Sequence, residues 1–141
     1  MKIHAPEILK EGEETKIRSL VEFAGRKEYL WYSVDSIYSE FLTTEKLDGF
    51  LVALLLLAMK HGEDIYVDGA ISQKLYYNLT NYYMRIVKSV IPSLHHIEII
   101  PKTLDTGSSY KSNGEVATGF SGGIDSFSVL ADHLYGNVPE A

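Results

Sequence analysis

The chain has 141 residues, 45% of them hydrophobic and 23% charged, which is typical of one globular domain. A formal net charge of −6 argues against a nucleic-acid-binding protein that works by neutralising phosphates. The sequence contains no cysteine, which excludes disulfides, thiolate metal sites and persulfide chemistry. The N-terminus is charged and polar, unlike a signal peptide, and the apolar run at residues 50–59 is too short to span a bilayer. These features predict a cytoplasmic protein without a membrane segment.

The N-terminal third predicts a lead-in followed by a hairpin. Residues 1–12, with Pro6, Gly12 and several charges, predict a weakly ordered lead-in. Residues 14–24 and 28–34 are rich in apolar, aromatic and β-branched side chains and are separated by a turn. This pattern predicts an antiparallel β-hairpin with Trp31 and Tyr32 on its buried face.

The middle of the chain alternates helices and strands. Residues 46–61 predict a mostly buried helix that ends at Gly62, and its apolar run at 50–59 predicts a fully buried segment. Short strands are expected at 65–67 and 95–100. Between those strands, residues 72–90 predict a long helix that begins at Ser72. Adjacent strand residues point to opposite faces, so His95 and His96 are not expected to ligate one metal ion. The expected apolar stripe of the long helix comprises Leu75, Leu79, Tyr82 or Tyr83, Ile86 and Val90.

The last third centres on a glycine-rich turn. Residues 103–114 are polar and predict a loop, 116–120 a short buried strand, and 127–134 a helix with three-to-four apolar spacing. The first N–H groups of a helix have no intrahelical partner and carry a partial positive charge, so this junction suits a phosphate. The glycines permit close approach and positive φ. The turn comprises Ser121, Gly122, Gly123, Ile124, Asp125 and Ser126.

This turn resembles the Ser-Gly-Gly-x-Asp-Ser signature of the PP-loop ATP pyrophosphatases, and all six positions match. It fits neither a Walker-type loop nor Gly-x-Gly-x-x-Gly. The resemblance implies that the amides of Gly122, Gly123 and Ile124 and the hydroxyls of Ser121 and Ser126 bind the pyrophosphate of ATP. It implies that Asp125 caps the helix or positions Mg²⁺. No catalytic residue and no protein metal site is assigned.

The overall prediction is an α/β fold whose sheet has parallel character, with an N-terminal hairpin and a strand–PP-loop–helix unit near the C-terminus. Residues 13–102 form an accessory α/β module, and 115–141 begin an ATP-binding domain. Family members continue well beyond this helix, so the chain is expected to be an N-terminal piece, inactive alone, that completes its site with a further domain or a second copy.

The implied activity is ATP- and Mg²⁺-dependent adenylation of an acceptor, with release of pyrophosphate, before amidation or ligation. Two alternatives stay open: a non-catalytic nucleotide-binding or regulatory module, and an interaction domain in which the Gly-Gly turn is purely structural. The acceptor is not identified, and nucleic acid is not an expected partner.

Overall fold

The computed structural model describes residues 1–107 and 121–135. The chain divides into two compact units, Met1–Ser108 and Ser109–Ala141. The boundary falls inside the predicted polar loop at 103–114. The first unit has the predicted mixed α/β character, with parallel and antiparallel pairing in one sheet.

The N-terminal residues are ordered into strands. β1 (Lys2–Ile3) and β2 (Glu7–Glu11) both pair antiparallel with β3 (Glu14–Phe23), at successive positions along one edge. Ile3 is completely buried. The expectation of a weakly ordered lead-in at 1–12 is therefore wrong: the apolar residue between charges belongs to the core.

The predicted hairpin is confirmed. β3 pairs with β4 (Arg26–Asp35) over its whole length, through a two-residue turn at Ala24 and Gly25. Both turn residues have positive φ, at 49° and 74°, as a type I′ turn requires. Adjacent strand residues point to opposite faces, so Trp31 and Tyr32 cannot share the buried face. The expectation is wrong for Trp31, which is 54% exposed. Tyr32 lies on the face that α1 covers, with its ring 5.3 Å from that of Phe50, although it stays 40% exposed.

The sheet gains its parallel character on the other side of β1. β5 (Ile65–Ser72) runs parallel to β1 and to β6 (Ile99–Asp105). The predicted strand at 65–67 is confirmed and extends further. The strand predicted at 95–100 begins later and continues through Pro101 to Asp105, so residues 103–105 are strand rather than loop. Proline is tolerated here because β6 is an edge strand among the strands that the structure describes.

The apolar helix packs against the sheet on one side only. After a short 3₁₀ helix (Ser36–Phe41), α1 (Asp48–His61) ends at Gly62, which has the predicted left-handed conformation with φ 67°. Leu51, Leu55 and Met59 are essentially inaccessible, whereas Leu56 is 43% exposed. The prediction of a fully buried segment at 50–59 is wrong, because an unbroken apolar run hides which side faces the sheet.

The long helix contains a π-helical segment. It consists of α2 (Gln73–Asn78), a π segment (Leu79–Tyr83) and α3 (Met84–Val90). The buried residues are Leu79 and Met84, whereas Val90, in the predicted stripe, is 75% exposed. A π turn closes after five residues rather than four and moves the buried face by one position.

Within residues 1–107, the second face of the sheet carries ordered rows of side chains. Arg18 on β3 binds Glu7 on β2 at 2.7 Å and lies 4.3 Å from the ring centroid of Tyr29 on β4. Lys16 likewise pairs with Glu11 and lies over Trp31. Carboxylates, cations and aromatic rings thus follow one another from β2 to β4.

The second unit contributes one described helix, α4 (Ile124–Tyr135). The predicted helix is confirmed and begins slightly earlier than residue 127. The predicted strand at 116–120 lies outside the described residues. None of the described helices is long and apolar enough to cross a membrane.

Candidate functional site

The glycine-rich turn leads directly into α4 and uses one glycine in a conformation that other residues avoid. Gly122 has φ 75°, in the left-handed region, and a Cβ placed on it would meet nothing within 4 Å. Gly123 does not require positive φ, and a Cβ there would meet only Ser121 Oγ, at 3.5 Å. The two glycines therefore differ: conformation restricts Gly122, whereas Gly123 has room for a side chain.

Two serine hydroxyls meet at the start of the helix. Ser121 Oγ and Ser126 Oγ lie 3.5 Å apart. Ser126 donates to the carbonyl of Gly123 at 2.8 Å, and the Gly123 amide donates to Ser121 Oγ over a long 3.4 Å. The carbonyl of Gly123 also accepts the amide of Phe127 at 3.1 Å. The two serines predicted to act together are thus brought together by the turn.

The turn is accessible to solvent. Ser121, Gly122, Gly123 and Asp125 are exposed, and Ser126 is buried. The first helical amides lack intrahelical partners and the helix dipole adds positive potential, so this end attracts an anion. The amide of Gly123 is the exception among the predicted donors, since it is already turned toward Ser121.

Asp125 lies in the first turn of α4, where its negative charge is favourable to the helix dipole. Within residues 1–107 and 121–135, no group of three or more acidic, histidine or cysteine side chains is arranged to hold a metal ion. A Mg²⁺ ion bound here would take most of its ligands from phosphate oxygens and water, with at most one carboxylate from Asp125.

The first unit has a separate cleft, of about 630 Å³, at the carboxyl ends of β5 and β6. An ion pair between Lys46 and Asp105 lies at this edge, and Asp105 also accepts the amide of Gly107 at 3.1 Å. These two bonds hold the pKa of Asp105 below its usual value, and the bond from Lys46 has the larger effect. The sequence prediction missed this cleft because its residues come from three segments that only the parallel pairing unites. Its lining comprises Lys46, Ser72, Gln73, Lys74, Tyr76, Tyr77, Leu104, Asp105, Thr106 and Gly107.

The comparisons with known proteins add no relative to this picture: no protein-family model, curated sequence or solved structure matches the chain.

Proposed function

We propose that residues 121–126 bind the pyrophosphate portion of ATP, and that the chain is the ATP-binding part of a PP-loop pyrophosphatase that adenylates an acceptor. The observation that supports this most directly is the convergence of Ser121 and Ser126 at the solvent-exposed start of α4. The left-handed Gly122 supports it as well, since it allows the backbone to turn without a side chain in front of the amides.

Each group at the turn has a role in this proposal. The amides of Ile124 and Gly122 and the hydroxyl of Ser121 donate to phosphate oxygens. Ser126 orders the turn through the carbonyl of Gly123 and can redirect its proton to the ligand. The long bond between Gly123 N and Ser121 Oγ is weak enough to be exchanged for a charged acceptor.

The proposed reaction places charge where these donors lie. An acceptor oxygen forms a bond to the α-phosphorus while the bond to the bridging oxygen breaks, and pyrophosphate departs with that electron pair. A nucleophile then displaces AMP from the activated acceptor, giving amidation or ligation. Donors fixed before the reaction stabilise the departing charge without reorganisation. Bound Mg²⁺ would neutralise further charge on the phosphates.

A thermal-shift titration with ATP–Mg²⁺ and with pyrophosphate tests this assignment. We expect wild type to show a higher unfolding midpoint with either ligand. Gly123→Val should fold, because its Cβ meets only Ser121 Oγ at an ordinary contact distance, but should lose the ligand-induced shift. Ser121→Ala should weaken binding by about 1–3 kcal/mol, the value of a hydrogen bond to a charged group.

Ser128→Ala is the matched control, since Ser128 is an exposed serine on the same helix. It should respond to ligand as wild type does. Equal shifts in wild type and Gly123→Val would contradict phosphate binding at the turn, and so would no shift of wild type at millimolar ligand. ATP–pyrophosphate exchange by the purified chain would contradict the expectation that this chain is inactive alone.

A further inference from the structure

The edge strand β4 has an unpaired row of backbone groups along its outer side, within the described part of the chain. In the type I′ turn, the Arg26 amide faces Phe23 on β3. Ser36, ten positions further, also donates toward β3, to Glu13 at 2.8 Å. Because strand residues alternate, the even-numbered residues of β4 bond to β3. The amides and carbonyls of residues 27, 29, 31, 33 and 35 therefore point outward.

This edge strand contains neither proline nor a bulge, two of the features that discourage pairing with another chain. β4 extends over ten residues without irregularity in its register with β3. Tyr29 and Trp31, near its middle, are 50% and 54% exposed. The strand thus combines free hydrogen-bonding groups with apolar surface that water covers poorly.

We propose that this edge pairs with β4 of a second copy of the chain, forming a two-fold symmetric dimer with one continuous sheet. A two-fold axis perpendicular to the sheet requires antiparallel strands and places odd-numbered residues opposite odd-numbered residues. The outward-facing amides and carbonyls belong to odd-numbered residues, so this arrangement brings them opposite one another.

Charge selects the register. With the axis at Trp31, Lys27 of each copy lies opposite Asp35 of the other, so the symmetric contact contains two attractive pairs. If the register moves by two residues in either direction, Lys27 no longer lies opposite Asp35. Lys27 contacts Glu22 at 3.0 Å within its own chain but stays 63% exposed, so its ammonium group can approach a second carboxylate. Asp35 accepts the amide of Ile37 through one carboxylate oxygen, Oδ1.

The helix-side surface beside β4 also favours a second copy. A groove of about 470 Å³ lies between β4 and α1 and is lined in part by Leu30, Leu54 and Leu57. In the proposed register, Leu30 of one copy faces Tyr32 of the other on this side of the sheet. The added strand would therefore extend the floor of the groove while the two α1 helices flank it. Formation of the dimer would therefore pair the backbone groups of β4 and bury apolar surface at the same time.

Charge reversal tests the contact in sedimentation-velocity experiments on the full chain. Lys27→Glu and Asp35→Lys should each raise the dimer dissociation constant by roughly tenfold or more, because two attractive pairs become repulsive. An equimolar mixture of the two variants should dimerise as wild type does. In the mixed dimer, Glu at 27 faces Lys at 35, and the unchanged Lys27 faces the unchanged Asp35.

The mixture distinguishes a contact from a folding defect, because combining two poorly folded variants restores nothing. Lys88→Glu, a charge reversal at an exposed position on α3, should leave dimerisation unchanged. Hydrogen exchange should show slow amides at 29, 31 and 33 in the dimer and fast amides in the single variants. A monomeric wild type would overturn the proposal, as would a dimer that neither reversal weakens. Slow exchange at these amides in a monomer would assign the edge to another segment of the chain.

Discussion

Ser72 illustrates how a single hydroxyl connects two elements. It lies at the N-cap of α2, but its side chain does not cap that helix. Both its amide and its hydroxyl instead donate to the carboxylate of Asp48, at 2.8 and 2.6 Å. Asp48 is in the first turn of α1, so the interaction joins the starts of the two helices at the carboxyl end of β5. The sequence pattern located the helix start correctly but could not identify a partner distant along the chain.

The Lys46–Asp105 pair should give stability a specific pH dependence. The pKa of Asp105 in the folded protein is lowered from 3.8, first by the bond from Lys46 and then by the Gly107 amide. Its charged form therefore contributes stability above about pH 4, and this contribution disappears as pH falls toward the folded pKa.

We expect Asp105→Asn to lower the free energy of unfolding at pH 7, and we expect the difference from wild type to shrink steadily below pH 4. Urea unfolding at a series of pH values measures both. A difference that is constant from pH 7 to pH 2 would show that the carboxylate charge is not the cause. Asp132→Asn, a change at an exposed position on α4, serves as the control.

At the scale of elements, the π segment determines which residues of the long helix, from α2 through α3, face the core. Leu79 and Met84 are both buried although they are five positions apart, which a regular α-helix does not bring onto one line. Val87 then packs against the core from the next turn. The apolar pattern of the sequence is compatible with a regular α-helix and with a helix that contains a π turn. Packing against the core selects the helix with the π turn.

Removing one residue tests this register. Deletion of Asn81, which is exposed within the π segment, should convert it to regular α-helix and keep Leu79 and Met84 on one face. Deletion of Arg85, which is also exposed but lies beyond the segment, should turn Val87 away from the core and cost on the order of 1–3 kcal/mol. Urea unfolding followed by circular dichroism measures both. Equal losses from the two deletions would argue against an inserted residue in this helix.

The sequence predicted which helices and strands form better than it predicted how they pack against one another. The hairpin, α1 and its terminal glycine, the long helix and α4 all follow from local periodicity and turn chemistry. The order of strands, the exposure of one side of α1 and the extension of β6 depend on contacts between distant segments. For the candidate site, the motif identified which residues occupy the turn, but only backbone geometry separates the role of Gly122 from that of Gly123.

At the scale of the whole molecule, the described hydrophobic core lies in the first unit. Apart from Val21, the buried apolar residues of the described ranges form one cluster from Ile3 to Ile99, within Met1–Ser108. The candidate phosphate-binding turn belongs to the other unit. The described core and the proposed ligand-binding turn are therefore in different units.

A shortened protein of residues 1–107 should fold cooperatively, because it retains every residue of that core. Its unfolding midpoint should not respond to ATP–Mg²⁺ or pyrophosphate, whereas that of the full chain should rise. Thermal shifts of the two proteins, measured side by side, make the comparison. A ligand-induced shift in the shortened protein would place a nucleotide site in the first unit, for which the cleft beside Lys46 would be the first candidate.

The rows of side chains on the second face of the sheet have a practical consequence. Trp31 is the single tryptophan of the sequence, and Lys16 Nζ lies 5.3 Å from its ring centroid. Indole emission responds to nearby charge and to hydration, so intrinsic fluorescence is a natural reporter of the centre of β4. Any partner that covers this edge, and any solute that displaces the lysine, will change the colour or the intensity of the emitted light without a dye having been attached.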